Sequence, residues 1–330
     1  MWLDFLIVVA GLLLLLGGGD VVVRGAASLA RRLGVSPLAV GLTVVAFGTS
    51  APELAVNVTA AMSGNMHMSF GNIFGSNMAN IGLITAAAAL VKPLEIKSVV
   101  VAREVPMMLL VTAMAAVLGL DASLSGRPSS FDRGDGLALL LLFMVFIYYT
   151  VNDVLEQRRA HRNGPMMAEA AEDANVPPER GIVLSVALVL VGLGALVLGA
   201  RVTVAGAVDL AVALGVSEDL IGLTLVAVGT SLPELAASVV ATLRGHTDLA
   251  IGNVVGSNIF NLGLILGSTA TIREIPVPPR GADDIAVVAL LSIGLWVASS
   301  RFGGGRIVRA EAVVLLLLYV GYITLRSILV

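Results

Sequence analysis

The chain has 330 residues, 57% of them hydrophobic and 13% charged, with a formal net charge of -3 and no cysteine; its mean hydropathy is +0.97. A soluble domain is about a quarter charged, so this composition argues against a water-soluble enzyme, while the slightly acidic balance argues against a nucleic-acid partner. Without thiols there is no disulfide, thiolate zinc site or cysteine redox pair.

Apolar runs bounded by charges or turn residues fall at about 3–23, 38–62, 69–91, 98–119, 135–152, 181–202, 219–243, 249–270, 283–299 and 310–328, each long enough to cross a bilayer as a helix. The expected fold is therefore all-α and polytopic, with about ten transmembrane helices. The first run lacks a basic leader and carries Asp4, so it reads as a span and not as a cleavable signal. The longest polar stretch, 153–180, reads as a charged linker between two halves, 1–152 and 181–330. With that linker cytoplasmic, fourteen of the twenty Lys and Arg residues fall on its side of the membrane, the bias of the positive-inside rule; both termini then lie outside, in a cell inner or plasma membrane.

The halves repeat each other. GLTVVAFGTSAPELAVNVTAA, starting at Gly41, matches GLTLVAVGTSLPELAASVVAT, starting at Gly222. GNIFGSNMANIGLI from Gly71 matches GNVVGSNIFNLGLI from Gly252 at the same offset of 181. The repeated segments are 41–84 and 222–265. Five helices per copy is an odd number, so the second copy must cross the membrane in the opposite sense, making two inverted repeats.

Each GTS-x-PE motif lies mid-span, placing Glu53 and Glu234 deep in the bilayer, where a carboxylate is penalised by about 2.5 kcal/mol or more and needs a polar cavity and a countercharge. No Lys or Arg occurs in the four motif helices before Arg244, so a bound cation is the expected partner. Pro52 and Pro233 lack an N–H and crowd the carbonyls of Gly48 and Gly229; they are expected to open the helical ladder around Thr49, Ser50, Thr230 and Ser231. Ser76 with Asn80 and Ser257 with Asn261 are i, i+4 pairs sharing a stripe with Asn72 and Asn253. Glycines at 71, 75, 252 and 256 are expected to let helices approach closely. Carboxylates, carbonyls, hydroxyls and amides form an all-oxygen set suited to hard ions such as Ca2+ or Na+.

At these residues the chain resembles the sodium/calcium exchangers of the cation/calcium antiporter superfamily, GTSAPE and GTSLPE matching the first halves of its two alpha repeats and GNIFGSNMAN and GNVVGSNIFN the second. The resemblance implies that Glu53 and Glu234 share Ca2+ with the carbonyls of Thr49 and Thr230. It further implies that Ser50, Ser76, Ser231, Ser257 and the carbonyls of Ala46 and Ala227 line Na+ positions, with Asn80 and Asn261 completing the centre. Some relatives carry Asp at the position of Asn261, including potassium-dependent ones; Asn in both halves disfavours K+ dependence. Two ionised glutamates give an empty site of -2, which one Ca2+ neutralises and three Na+ bring to +1, so exchange is expected to be electrogenic. The expected function is Na+/Ca2+ antiport by alternating access, with no enzymatic activity, no cofactor, and Ca2+, Na+ and lipid as partners; a proton/calcium or other cation antiporter of the same fold is the alternative. Asp20 with Arg24, and Arg201 with Asp209, read as helix-end charges outside the site.

Overall fold

The computed structural model describes residues 2–96, 100–120, 126, 128–163, 181–214, 229–300 and 305–328. Ten helices cross the described part. They are α1 (Trp2–Leu33), α2 (Pro37–Ser63), α3 (Met66–Val91), α4 (Val105–Gly119, entered through a π-helical turn Val100–Glu104), α5 (Arg133–Asn163), α6 (Ile182–Ala213), α7 (Leu232–Leu243), α8 (Thr247–Ile272), α9 (Gly281–Ser299) and α10 (Arg309–Ile328). All but α7 are long and apolar enough to span a bilayer; the 215–228 segment, which the sequence assigns to the seventh span, lies outside the described residues.

Local chemistry sets the ends of the motif helices. Ser36 caps α2, its hydroxyl accepting from the Ala39 N–H at 3.2 Å, and Pro37 opens the first turn, where no N–H is needed. Gly64 ends α2 at φ 83°, and its repeat counterpart Gly245 follows α7 at φ 81°, a left-handed conformation that costs a side chain about 1–2 kcal/mol. The two turns occupy equivalent positions in the two repeats.

α1 and α6 pack antiparallel on a seam of glycines spaced by seven: Gly11, Gly18 and Gly25 on one, Gly192, Gly199 and Gly206 on the other. A Cβ on Gly18 would stand 2.9 Å from the Leu196 nitrogen, and one on Gly199 2.8 Å from the Leu15 nitrogen. Without side chains the backbones interlock, which is how helices associate where lipid offers no hydrophobic drive. The Ser185 hydroxyl donates to Ser28 at 2.9 Å at the end of the seam.

Two short antiparallel ribbons tie the halves together. β1 (Leu94–Glu95) pairs with β4 (Arg306–Ile307), and β2 (Ser130–Phe131) with β3 (Ile275–Pro276). Each joins a loop of one half to a loop of the other, and β1 and β3 stand one repeat offset apart, so the ribbons too are related by the inversion. α3 and α8 are the most enclosed helices, packed by Phe70 stacked on Phe74 at 4.5 Å and by Phe260 edge-on to Phe143 at 5.0 Å. Large apolar side chains such as Leu13, Leu141, Leu190 and Leu317 face outward from α1, α5, α6 and α10 as a lipid-facing belt.

Three expectations are corrected in extent. α1 runs to Leu33 and α6 to Ala213, well beyond the apolar runs, because their charges are accommodated without breaking the helix: Asp20 pairs with Arg24 at 2.5 Å one turn away. α5 continues to Asn163, into the stretch read as linker; DVLEQRRAHRN contains no helix breaker before Gly164-Pro165, and Gln157 donates to Asp153 at 2.6 Å. Residues 164–180 lie outside the described residues, as do Lys97, Arg127, Arg180 and Arg301 of the charge census. Finally, Pro52 does not break α2. The helix is continuous from Ala46 to Ser63, and its irregularity sits earlier, in the π-helical turn Gly41–Val45. Only one ladder bond is lost at a proline, and here the enclosing helices hold the rest.

Candidate functional site

The second copy behaves as expected at Pro233: α7 begins only at Leu232, and Ser231 stands outside it at φ -91°, ψ 4°. Thr230 and Ser231 form a turn just before this helix, whereas the equivalent residues Thr49 and Ser50 lie inside the continuous α2. π-helical turns also follow both GSN motifs, at Ala79–Ile84 and Phe260–Leu266. Asn80 and Asn261 sit at the first turn of each, and the Asn80 carbonyl accepts the Thr85 hydroxyl at 3.0 Å.

Glu53 is 1% and Glu234 2% exposed. The halves meet between them: the Ser50 hydroxyl, from the Glu53 motif, donates to Glu234 Oε1 at 3.3 Å, and the two carboxylates are within electrostatic reach of each other. Around this centre the hydrogen bonds obey the inversion. The Thr49 hydroxyl donates to Asn253 Oδ1 at 3.2 Å, and the Asn72 amide donates to the Thr230 hydroxyl at 3.2 Å; each joins the repeat counterparts of the residues joined by the other. Asn57 donates to the Glu53 carbonyl at 2.8 Å and Asn253 to the Glu234 carbonyl at 3.4 Å. Asn57 also bonds Asn72 at 2.7 Å, and Asn253 bonds the Ser238 hydroxyl at 3.0 Å.

Against this satisfied frame stand seven buried oxygens with no hydrogen-bond partner among the described residues. They are Glu53 Oε2, Glu234 Oε2, Ser231 Oγ, Ser76 Oγ, Ser257 Oγ, Asn80 Oδ1 and Asn261 Oδ1. Leaving such a group unpaired costs about 1–3 kcal/mol each; Asn77 Oδ1, Thr150 Oγ1, Asn258 Oδ1 and Thr269 Oγ1 are buried without partners as well. The seven are carboxylate, hydroxyl and amide oxygens drawn from both halves, the donor types a hard cation takes. No cluster of three His, Asp or Glu side chains occurs among the described residues, and the donor set is a carboxylate pair with neutral oxygens.

Of the other residues expected at the site, Thr49 and Thr230 engage their hydroxyls in the paired bonds above. The Ala46 carbonyl accepts the Thr49 hydroxyl at 3.3 Å; Ala227 lies outside the described residues. The close approach expected at the motif glycines is seen in the second copy, where Cβ atoms on Gly252 and Gly256 would stand 2.9 Å from the Leu38 carbonyl oxygen and 2.8 Å from that of Leu42. It is not seen in the first, where Cβ atoms on Gly71 and Gly75 would meet nothing within 4 Å among the described residues. The sequence reading missed Asn57 and Ser238 as site supports. Their signal was present, since both are polar, lie one helical turn after each glutamate, and occupy equivalent positions in the two repeats.

A cavity of about 680 Å³ opens beside this centre. It is lined by Pro52, Thr230 and Pro233 beside the motifs and runs past Thr59 and Arg201 to Ser63 and Asn65, at the end of α2 remote from the linker.

An inverted-repeat membrane helix bundle with two buried acids and unpaired oxygens at its midplane is a secondary transporter of cations. Comparison with known proteins narrows the class. The profile of the sodium/calcium exchanger protein family matches residues 3–152 and 184–328, and the chain belongs to that family. It is 33% identical to the sodium/calcium exchanger MaX1 of Methanosarcina acetivorans over 97% of both chains, and 36% identical to the inner membrane protein YrbG of Escherichia coli over 89% of this chain and 87% of that one. The solved structure of the sodium-calcium exchanger NCX_Mj, soaked with zero Na+ and Ca2+, superposes with a TM-score of 0.80 at 32% identity over 98% of each chain.

Proposed function

We propose that this protein exchanges Na+ for Ca2+ across a membrane by alternating access, with Glu53 and Glu234 as shared Ca2+ ligands. The observation that carries this reading is the set of unpartnered buried oxygens, which includes the inversion-related pairs Glu53 and Glu234, Ser76 and Ser257, and Asn80 and Asn261. Ca2+ takes six to eight oxygens and Na+ fewer and weaker ones, so a site with two charged and many neutral donors serves either ion but not both at once. The carbonyls of Thr49, Thr230, Ala46 and Ala227 and the hydroxyls of Ser50 and Ser231 complete the proposed set.

Charge makes the coupling. An empty ionised site carries -2 into the low-dielectric interior, whereas one Ca2+ leaves it neutral and three Na+ leave +1; loaded sites therefore cross more readily than empty ones. Neutral Asn80 and Asn261 give no third carboxylate to hold K+. The linker is assigned to the cytoplasm and both termini to the outside, in the cell inner or plasma membrane, so the cavity opens outward. The halves 1–152 and 181–330 act as the two inverted units, and the protein performs no covalent chemistry and holds no resident cofactor.

The test is calcium uptake into proteoliposomes under an outward sodium gradient at clamped voltage. Uptake that follows the sodium gradient, reverses with it and carries one net charge per cycle is expected. Uptake driven by a pH gradient alone, indifferent to sodium, would overturn the assignment of Na+ as driving ion.

A further inference from the structure

The inversion lets one side of the molecule be read against the other. The open cavity is lined on its outer reach by Arg201 and Ala205 of α6 and Ser63 of α2. Their repeat counterparts are Asp20 and Arg24 of α1 and Arg244 at the end of α7. On the linker side the three side chains are bonded together. Asp20 pairs with Arg24 at 2.5 Å through one oxygen and with Arg244 through the other. What is empty space on one face is an ionic triad on the other.

The contacts beneath the triad agree. Thr59 and Val204 line the open cavity; their counterparts Val240 and Val23 are 6% and 1% exposed. A Cβ on Gly19 would stand 3.1 Å from the Ala236 carbonyl oxygen and 3.2 Å from Val240 Cγ2, so α1 lies directly on α7 along the route that α6 and α2 leave open. The apolar contact seals this route, and the bridge from α1 to the end of α7 holds the seal in register. Arg201, the counterpart of Asp20, has no ion pair among the described residues, and Ser63 could offer it none.

We propose that Asp20 and Arg244 bolt the linker-side ion route, and that this bridge must part for the shared site to face the linker. The proposal rests on the alternating-access reading above, but its test does not require turnover.

The chain has no cysteine, so a single one reports access cleanly. Val240→Cys is labelled from the linker side with a membrane-impermeant maleimide in the full-length protein reconstituted in liposomes. Labelling is expected to be slow with the bridge intact, to accelerate about two- to fivefold in Arg244→Gln, the effect of losing one partly exposed pair, and to return to the slow rate in Arg244→Lys. Arg24 keeps Asp20 paired in both variants. The reverse construction is Arg201→Asp with Ser63→Arg, which builds the bolt on the opposite face and should slow labelling of Thr59→Cys there by a similar factor. Equal labelling of Val240→Cys in all three backgrounds, or of Thr59→Cys with and without the transplanted pair, overturns the bolt. Sodium-driven uptake measured on the same vesicles separates this from failure of the exchange assignment, since labelling can shift in a protein that does not exchange and exchange can persist where labelling does not shift.

Discussion

Replacing Glu234 with Gln keeps the shape of the side chain and removes one of the two charges at the centre. Glu234 Oε1 keeps the Ser50 hydroxyl as a donor in the wild type while Oε2 has no partner among the described residues; in Glu234→Gln one of these acceptors becomes an amide donor aimed at the site. The site's charge falls from -2 to -1, and a bound Ca2+ keeps an uncompensated charge in a buried setting. Breaking a buried ion pair from one side costs about 3–5 kcal/mol, so Ca2+ affinity should fall by about two to four orders of magnitude. The empty protein should move the other way, because one of two facing carboxylates no longer repels its neighbour. Calcium titration by calorimetry in sodium-free buffer, with thermal unfolding of the ion-free protein alongside, reads both effects. The expected result is loss of the calcium-induced rise in Tm together with an ion-free Tm at or above that of the wild type, and the same for Glu53→Gln. Calcium affinity within threefold of wild type in either variant would refute the shared-carboxylate argument.

Ser76→Ala and Ser257→Ala remove hydroxyls that bond nothing among the described residues, so thermal stability should change by less than about 1 kcal/mol while the sodium concentration for half-maximal uptake rises; a large drop in Tm would return these serines to a structural role. Gly252→Ala drives a Cβ to 2.9 Å from the Leu38 carbonyl oxygen and should cost about 1–3 kcal/mol, whereas Gly194→Ala, whose Cβ meets nothing within 4 Å, should be neutral or stabilising in the same melting assay. Burial, and secondarily the Arg31 guanidinium, hold the His246 imidazole below its usual 6.5. Its contribution to stability is therefore complete above pH 6.5 and is lost as the pH falls through the lower folded value. His246→Gln should flatten that acid limb of a Tm-against-pH curve, and an unchanged limb would assign it to other groups.

Much of this architecture was legible in the chain because membranes leave few options. Every backbone group must be satisfied internally, so apolar runs became helices, and a duplication at one fixed offset forced the inversion that brings Glu53 and Glu234 together. The site side chains were legible for the same reason, since an acid in mid-bilayer demands a function. Helix ends were less so. Hydropathy stopped α1 near Val23 and α6 near Val202, but the helices run on where Asp20 finds Arg24 and Arg244 and where a glycine seam, not apolarity, holds the two together. Nor could spacing alone separate Pro52, which lies inside the continuous α2, from Pro233, which lies in the first turn of α7. Asn57 and Ser238 were overlooked because a single polar residue on a helix usually needs no explanation, and only their recurrence at the repeat offset marks them.

The central claim is that one hard cation is held jointly by acids from the two halves. A crystal structure of the protein soaked with Ca2+ in sodium-free buffer tests it most directly. The account predicts a single ion within about 2.3–2.6 Å of carboxylate oxygens from both Glu53 and Glu234. Calcium bound by one glutamate alone, or at any position that neither carboxylate reaches, would contradict it.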